Sequence, residues 1–178
     1  MRIVSGTLRG RRFEPPGSFE ARPTTDFAKE NVFNVLCNII DFESVKLLDL
    51  FGGSGSISYE FASRGCTDVT CVEINPVHQR FIAKTAKQFG IDNVIRIVRG
   101  DALKFIASTS ERYDVIFADP PYAIPEVDQL PDMVMSRNLL AENGLFILEH
   151  SGGGRFNAHA NFWQTRAYGK VNFTFFRK

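Results

Sequence analysis

Short apolar runs alternate with helix-like stretches between residues 46 and 149. The runs are rich in Val, Ile, Leu and Phe and are predicted as strands: Lys46–Phe51, Val69–Glu73, Val94–Val98, Tyr113–Ala118 and Leu145–Glu149. Strands that are mostly apolar throughout and are separated by helices indicate a parallel sheet covered on both faces. The pattern therefore predicts an α/β fold.

The segments between these strands carry helix punctuation. Helices are predicted over Ser56–Arg64, over Val77–Phe89 and over about 126–137, with only a short turn after Asp101. A proline precedes the second helix and Gly90 follows it, as expected at a helix start and just past a helix end.

The two ends of the chain differ from the middle. Trp163–Gly169 and Val171–Arg177 are predicted as a closing antiparallel hairpin. Near the start, Arg2–Leu8 and Arg11–Glu14 flank Arg9-Gly10 and suggest a basic hairpin. Thr24 or Thr25 is expected to cap a helix whose apolar positions (28, 32, 35, 36 and 39) have helical spacing.

Length and composition set the class of protein. The 178 residues are most simply one domain, with a basic extension (1–22) and a core (23–178). Three cysteines without ligand spacing predict no metal and suggest a reducing compartment. With no leader-like start and no apolar run long enough to span a bilayer, we expect a soluble, cytoplasmic protein without membrane contact.

The net charge of +1 is unevenly distributed. Residues 1–22 have a net charge of +3 and residues 155–178 a net charge of +5, which leaves −7 for residues 23–154. Basic ends on an acidic body suggest that the termini meet a polyanion, with random surface charge as the alternative.

The segment Asp119-Pro120-Pro121-Tyr122 ends a predicted strand. Two prolines cannot continue a central strand, so the chain leaves as a stiff loop with a carboxylate at one end and a phenol at the other. Asp119 and the Pro120 carbonyl could accept hydrogen bonds from the exocyclic amine of a base, and Tyr122 could stack on it. A purely structural turn is the alternative.

A second group of residues suggests a cofactor site. Asp49-Leu50-Phe51-Gly52-Gly53-Ser54-Gly55 follows the first strand and opens a helix, where ligands bind in such sheets. Glu73 and Asp101 end the next two strands; the first could hold a ribose, and the second, with the Ala102 N–H, an adenine.

The glycine spacing separates two kinds of cofactor. Ser58 occupies the third slot of a dinucleotide fingerprint, and Asp49 would repel a pyrophosphate. S-adenosylmethionine carries a sulfonium and an ammonium and no phosphate, so we favour S-adenosylmethionine over a nicotinamide nucleotide.

Taken together, these residues resemble the RsmD-type 16S rRNA guanine-N2 methyltransferases. The matching elements are Met1–Gly6, Arg9–Arg11, Arg22–Asp26, Phe33–Leu36, Asp49–Ser56, Glu73, Asp101, Asp119–Tyr122 and Tyr168-Gly169. The Arg-Pro-Thr-Thr segment is the specific part, since many amino-directed methyltransferases share the glycine loop and Asp-Pro-Pro-Tyr.

The resemblance implies a Rossmann-like class I methyltransferase fold with seven strands, the last one antiparallel. It implies a guanine N2 target in 16S rRNA, within a small-subunit assembly particle, and we expect a monomer. The implied roles are catalytic for Asp119, Pro120 and Tyr122; cofactor-binding for Asp49, Phe51, Gly52, Gly53, Gly55, Glu73, Asp101 and Ala102; and RNA-binding for Arg9, Arg11, Arg12, Arg22 and Thr24.

Two residues depart from the family pattern. Phe27 stands where a basic residue is usual, and Gly53 where alanine is commoner. Two other functions remain open at this point: a DNA adenine-N6 methyltransferase, and a non-catalytic RNA-binding assembly factor.

Overall fold

One twisted sheet forms the centre of the molecule. A computed structural model describes residues 1–17, 19, 26–121, 124–152 and 155–178. The strands in these ranges are β1 (Lys46–Asp49), β2 (Asp68–Glu73), β3 (Ile95–Arg99), β4 (Tyr113–Ala118), β5 (Leu140–His150), β6 (Phe162–Tyr168) and β7 (Val171–Arg177). They lie in the order β3-β2-β1-β4-β5-β7-β6. Strands β1 to β5 are parallel and β7 is antiparallel to both its neighbours, which confirms the predicted sheet.

The helices connect and cover these strands. They are α1 (Asp26–Leu36), α2 (Ser56–Ser63), α3 (Pro76–Phe89), α4 (Ala102–Ser108) and α5 (Leu130–Ser136), with a 3-10 turn at Pro125–Gln129. Only a short turn was expected after Asp101, which was wrong. The Asp101 side chain accepts a hydrogen bond from the Lys104 N–H at 2.9 Å, so it caps a two-turn helix.

Strand β5 is longer than predicted. Its first residues include polar positions, so the apolar pattern begins only at Leu145. Leu140 nevertheless pairs with Tyr113, through a register shift between Tyr113 and Val115. Tertiary pairing therefore extends the strand where local composition does not predict it.

Alternation along the strands creates one core on each face of the sheet. The first face packs against α1, α2 and α3 and includes Leu47, Cys71 and Phe117. The second face packs against α4 and α5 and includes Leu48, Val72 and Ala118. Successive residues at the end of each strand thus serve opposite cores.

The N-terminal segment, residues 1–17, folds back on itself. Arg2 and Arg12 form a single antiparallel bridge, and Ile3 N–H donates to the Arg11 carbonyl at 3.0 Å. This pairing is shorter than the hairpin suggested by the sequence. Ile3 and Phe13 are buried in the first core, so the basic segment is anchored by apolar side chains.

A buried glutamate fixes this segment to α2. Glu60 is fully buried, and its two carboxylate oxygens accept hydrogen bonds from the N–H groups of Val4 and Ser5 at 2.9 and 3.0 Å. Arg64 pairs with the same carboxylate at 2.9 Å. At Gly6 a Cβ would lie 1.8 Å from the Ser63 carbonyl oxygen, so only glycine permits this close approach.

Glu60→Ala tests whether this carboxylate holds the N-terminal segment. The substitution would leave two N–H groups without their acceptor and the largely buried Arg64 without its carboxylate partner, and we expect a loss of about 3–5 kcal/mol in the free energy of unfolding. Urea unfolding measures the loss, with Glu30→Ala on the exposed side of α1 as the control. A loss no larger than that of the control would contradict this anchoring.

Candidate active site

Four carboxylates lie at the carboxyl edge of the sheet on one face. Asp49, Glu73 and Glu149 end or nearly end β1, β2 and β5, and Asp119 directly follows β4. Their neighbours Leu48, Val72, Ala118 and Leu148 all pack into the second core. By alternation the four acids therefore face α1 to α3.

The loop between β1 and α2 approaches other parts of the chain closely at its glycines. A Cβ on Gly52 would lie 2.5 Å from Cys71 Sγ, and one on Gly55 would lie 2.5 Å from the Tyr59 ring. Gly53 and Gly55 have φ of +52° and +80°, a region that favours glycine. The loop thus packs tightly against Cys71 and Tyr59, while its residues Gly52, Gly53 and Ser54 line a cavity on its other side.

Glu73 is held in one orientation. Its Oε2 accepts from the Gly53 N–H and its Oε1 from the Asn75 N–H, each at 2.7 Å. The residue is buried. These bonds tie the end of β2 to the glycine loop. A carboxylate held in this way can present its acceptor oxygens to a ligand in a fixed orientation.

Asp49 is a buried carboxylate with a raised pKa. Burial raises its pKa to about 6, and the nearby Glu73 charge adds to the rise. The Ser58 hydroxyl donates to Asp49 Oδ2 at 2.7 Å and opposes the shift. A cationic group beside Asp49 would stabilise the ionised form, whereas a phosphate would be repelled.

A cavity of about 280 Å³ lies over the glycine loop. It is lined by Met1, Pro15, Pro16, Gly17, Phe19, Asp49, Phe51, Gly52, Gly53, Ser54, Ser56, Ile57 and Asp119. Asp49 and Asp119, predicted for cofactor and catalysis respectively, thus share one cavity. Its volume suits part of a small-molecule ligand.

The N-terminal segment and Phe19 form one side of this cavity, which the sequence did not predict. Phe19 stacks on His78 at the start of α3, with ring centroids 3.9 Å apart. His78 Nδ1 is buried and lies 3.5 Å from Glu73 Oε1. One sequence signal could have indicated that the N-terminal segment packs here. Glu60 is the one charged residue of α2, and a charge among apolar residues implies a polar partner from elsewhere in the chain.

Some predicted residues lie outside the lining of the large cavity. Gly55 caps α2, and Glu73 is linked to the lining through Gly53. Asp101 and the buried Ala102 begin α4, one strand further out. Pro120 instead lines a smaller cavity of about 50 Å³, together with Glu149 and His150.

The predicted RNA-binding residues are only partly described. Arg9, Arg11 and Arg12 are exposed on the N-terminal segment. Arg22 and Thr24, and the predicted catalytic Tyr122, lie outside the described residues. Within the described ranges, no group of three or more His, Cys, Asp or Glu side chains could hold a metal ion, and no helix has the length and apolarity needed to cross a membrane.

Known proteins resemble this chain in sequence and in fold. A family model described as "Conserved hypothetical protein 95" matches residues 1–177. Ribosomal RNA small subunit methyltransferase D of Escherichia coli K12 is 30% identical over 149 residues, covering 84% of this chain and 74% of that protein. The corresponding Haemophilus influenzae protein is 30% identical over 152 residues, covering 84% and 78%.

Solved structures extend the likeness to the whole fold. A hypothetical protein from Thermus thermophilus superposes with a TM-score of 0.84 at 26% identity, covering 100% of this chain and 99% of that one. An RNA methyltransferase from Salinibacter ruber, in complex with S-adenosyl-L-homocysteine, gives a TM-score of 0.67 at 19% identity, covering 88% and 93%. At that identity the second likeness shows the fold alone.

Asp49→Asn tests the electrostatics of the cavity. The Asp49 carboxyl keeps its proton to about pH 6 when folded but loses it near 3.8 when unfolded, so rising pH destabilises the folded state through this window. Relative to wild type, the free energy of unfolding of Asp49→Asn should therefore rise by about 2 kcal/mol between pH 4 and pH 8.

Chemical unfolding at both pH values measures this gain without ligand. The control is Asp92→Asn, which removes an exposed carboxylate from the loop after α3. If the difference between Asp49→Asn and wild type were the same at pH 4 and pH 8, the pKa of Asp49 would not be raised.

Proposed function

This chain belongs to the family described as "Conserved hypothetical protein 95", and we propose that it is an S-adenosylmethionine-dependent methyltransferase that modifies the N2 amine of a guanine in 16S rRNA. The observation that carries the proposal is the meeting of Asp49, the glycine loop and Asp119 around one cavity. The relatives named ribosomal RNA small subunit methyltransferase D support the substrate class.

The residues of the cavity fit S-adenosylmethionine better than a phosphate-bearing cofactor. Asp49 offers a buried carboxylate whose ionised form needs a positive neighbour, and the methionine ammonium and the sulfonium supply positive charge. Glu73, fixed by Gly53 and Asn75, presents acceptors for the ribose hydroxyls. We assign Asp101 and the Ala102 N–H, at the start of α4, to the adenine, and Phe51, Gly52 and Gly55 to the loop that holds the cofactor.

The chain orients the amine for displacement. When bound, S-adenosylmethionine supplies an electrophilic methyl group. The Asp119 carboxylate and the Pro120 carbonyl accept the two amine N–H bonds and direct the nitrogen lone pair toward the cavity that contains Asp49. Asp119 can also accept the proton lost after transfer, in competition with water. Tyr122 stacks on the base.

The basic residues of the N-terminal segment support an RNA substrate. Arg9, Arg11 and Arg12 are exposed, and we assign them, with Arg22 and Thr24, to RNA phosphates. Ile3, Phe13 and Glu60 hold this segment against the core beside the cofactor cavity. We further propose that a single-domain monomer acts in the cytoplasm on a partly assembled small subunit.

Transfer of tritium from labelled S-adenosylmethionine tests this function. The label is followed into small-subunit particles, naked rRNA and DNA, and the modified nucleoside is identified. We expect N2-methylguanosine in small-subunit rRNA. N6-methyladenine in DNA would contradict the substrate, and no transfer to any of these substrates would favour the non-catalytic assembly factor.

Asp119→Ala tests the catalytic role separately from binding. We expect turnover to fall about 100-fold or more, because one acceptor of the amine is lost. Affinity for S-adenosylmethionine, measured by calorimetry, should stay within about three-fold of wild type, since the glycine loop and Glu73 remain. Weaker cofactor binding with intact turnover per bound cofactor would show that Asp119 belongs to the cofactor site instead.

A further inference from the structure

An aromatic pair is exposed near the start of α1. The Phe27 side chain is 66% exposed, the highest value among the exposed large hydrophobic residues in the described ranges. Its ring meets that of Tyr168 edge to face, with centroids 6.3 Å apart at 88°. Tyr168 in turn packs on the buried Phe173 at 6.0 Å, so one ring is anchored and the other projects into solvent.

The topology places this pair at the same edge of the sheet as the active site. Strand β6 is antiparallel to β7, which is antiparallel to β5, so β6 runs parallel to β1, β2, β4 and β5, whose ends carry the four carboxylates. Tyr168 is the last residue of β6. Three strand spacings separate β4 from β6, so the line of β6 lies roughly 14 Å across the sheet from the line of β4, which Asp119 follows.

The first turn of α1 is held at this edge as well. Lys29 is buried, and its Nζ donates to Ser56 Oγ at 3.1 Å and to the Arg2 carbonyl at 2.6 Å. Ser56 opens α2 directly after the glycine loop and lines the cofactor cavity. The first turn of α1, which carries Phe27, is thus tied through Lys29 to a residue that lines the cavity.

Basic side chains surround the aromatic pair. Arg2 Nε lies 3.6 Å from Oδ2 of Asp26, the residue before Phe27. The backbone of Arg12 pairs with that of Arg2. Arg166 and Lys170 flank Tyr168 along the chain, and all four basic residues are exposed. Cations around exposed rings complement a strand that carries both phosphates and bases.

We propose that Phe27 and Tyr168 form a stacking platform for an unpaired RNA base near the target nucleotide. The inference rests on the proposed function and deepens it. RNA is bound through splayed-out bases that stack on aromatic rings, and any base offers a suitable face. Phe27 stands where a basic residue is usual in the family, so the platform would replace a charge contact with a stacking contact.

Three substitutions at Phe27 test the platform in the full chain. Phe27→Trp keeps an aromatic face, Phe27→Leu keeps an apolar side chain without a ring, and Phe27→Ala removes both. Because the Phe27 side chain is exposed, these substitutions should leave folding unaffected, and thermal unfolding checks this. Steady-state methyl transfer to small-subunit particles from cells lacking the gene gives kcat and KM, and sedimentation gives binding without methyl transfer.

We expect Phe27→Leu and Phe27→Ala to raise the KM and the dissociation constant for the particles about ten-fold, with kcat within about two-fold. Phe27→Trp should bind like wild type. The dependence of binding on salt should keep its slope in Phe27→Leu, because no phosphate contact is removed, whereas Arg166→Gln should lower the slope by about one.

Other results would overturn the platform. Wild-type binding by Phe27→Leu would mean that an apolar contact suffices, as with a protein partner, and wild-type binding by Phe27→Ala would mean no contact. If the wild-type protein binds particles without methylating them, the proposed function fails, while sedimentation of the variants still decides on the platform. Absence of particle binding would overturn both.

Discussion

A buried carboxylate at the end of the central strand determines what the main cavity can hold. Asp49 is enclosed by the sheet and α2, and burial together with Glu73 raises its pKa to about 6. Ionisation at neutral pH therefore carries a penalty that a cationic ligand can offset and a phosphate would increase. Asp119, the residue proposed to hold the methyl acceptor, lines the same cavity.

The N-terminal segment connects this cavity with the surface proposed for RNA. Glu60 accepts two of its N–H groups, and Lys29 donates to one of its carbonyls, so two buried charges fix a segment that is otherwise short of regular structure. Pro15, Pro16 and Phe19 line the cavity while Arg9, Arg11 and Arg12 face solvent. One short stretch of chain thus borders both the cavity and the surface proposed for RNA.

The parallel sheet and its loops were predictable because their signals are local. Apolar runs gave β1 to β4 within two residues, and the family matches confirm the predicted resemblance. The approach of Phe19 to His78 and of Glu60 to Val4 was not predictable, since it depends on contacts between residues more than 50 positions apart. The sequence predicted only a short turn at Ala102–Ser108. The helix there is short, and the Asp101 side chain caps its first turn.

The cofactor part of the site and the choice of target base rest on different kinds of support. The fold, the glycine loop and the hydrogen bonds of Glu73 are described directly. The roles proposed for Asp119, Pro120 and Tyr122 concern an exocyclic amine in general, so the choice of guanine in rRNA rests on the resemblance to the family and on the named relatives. The most direct test is nucleoside mass spectrometry of small-subunit rRNA from cells that lack the gene. Loss of one N2-methylguanosine, restored by the wild-type gene but not by the Asp119→Ala gene, is the predicted result. An unchanged N2-methylguanosine content would contradict it.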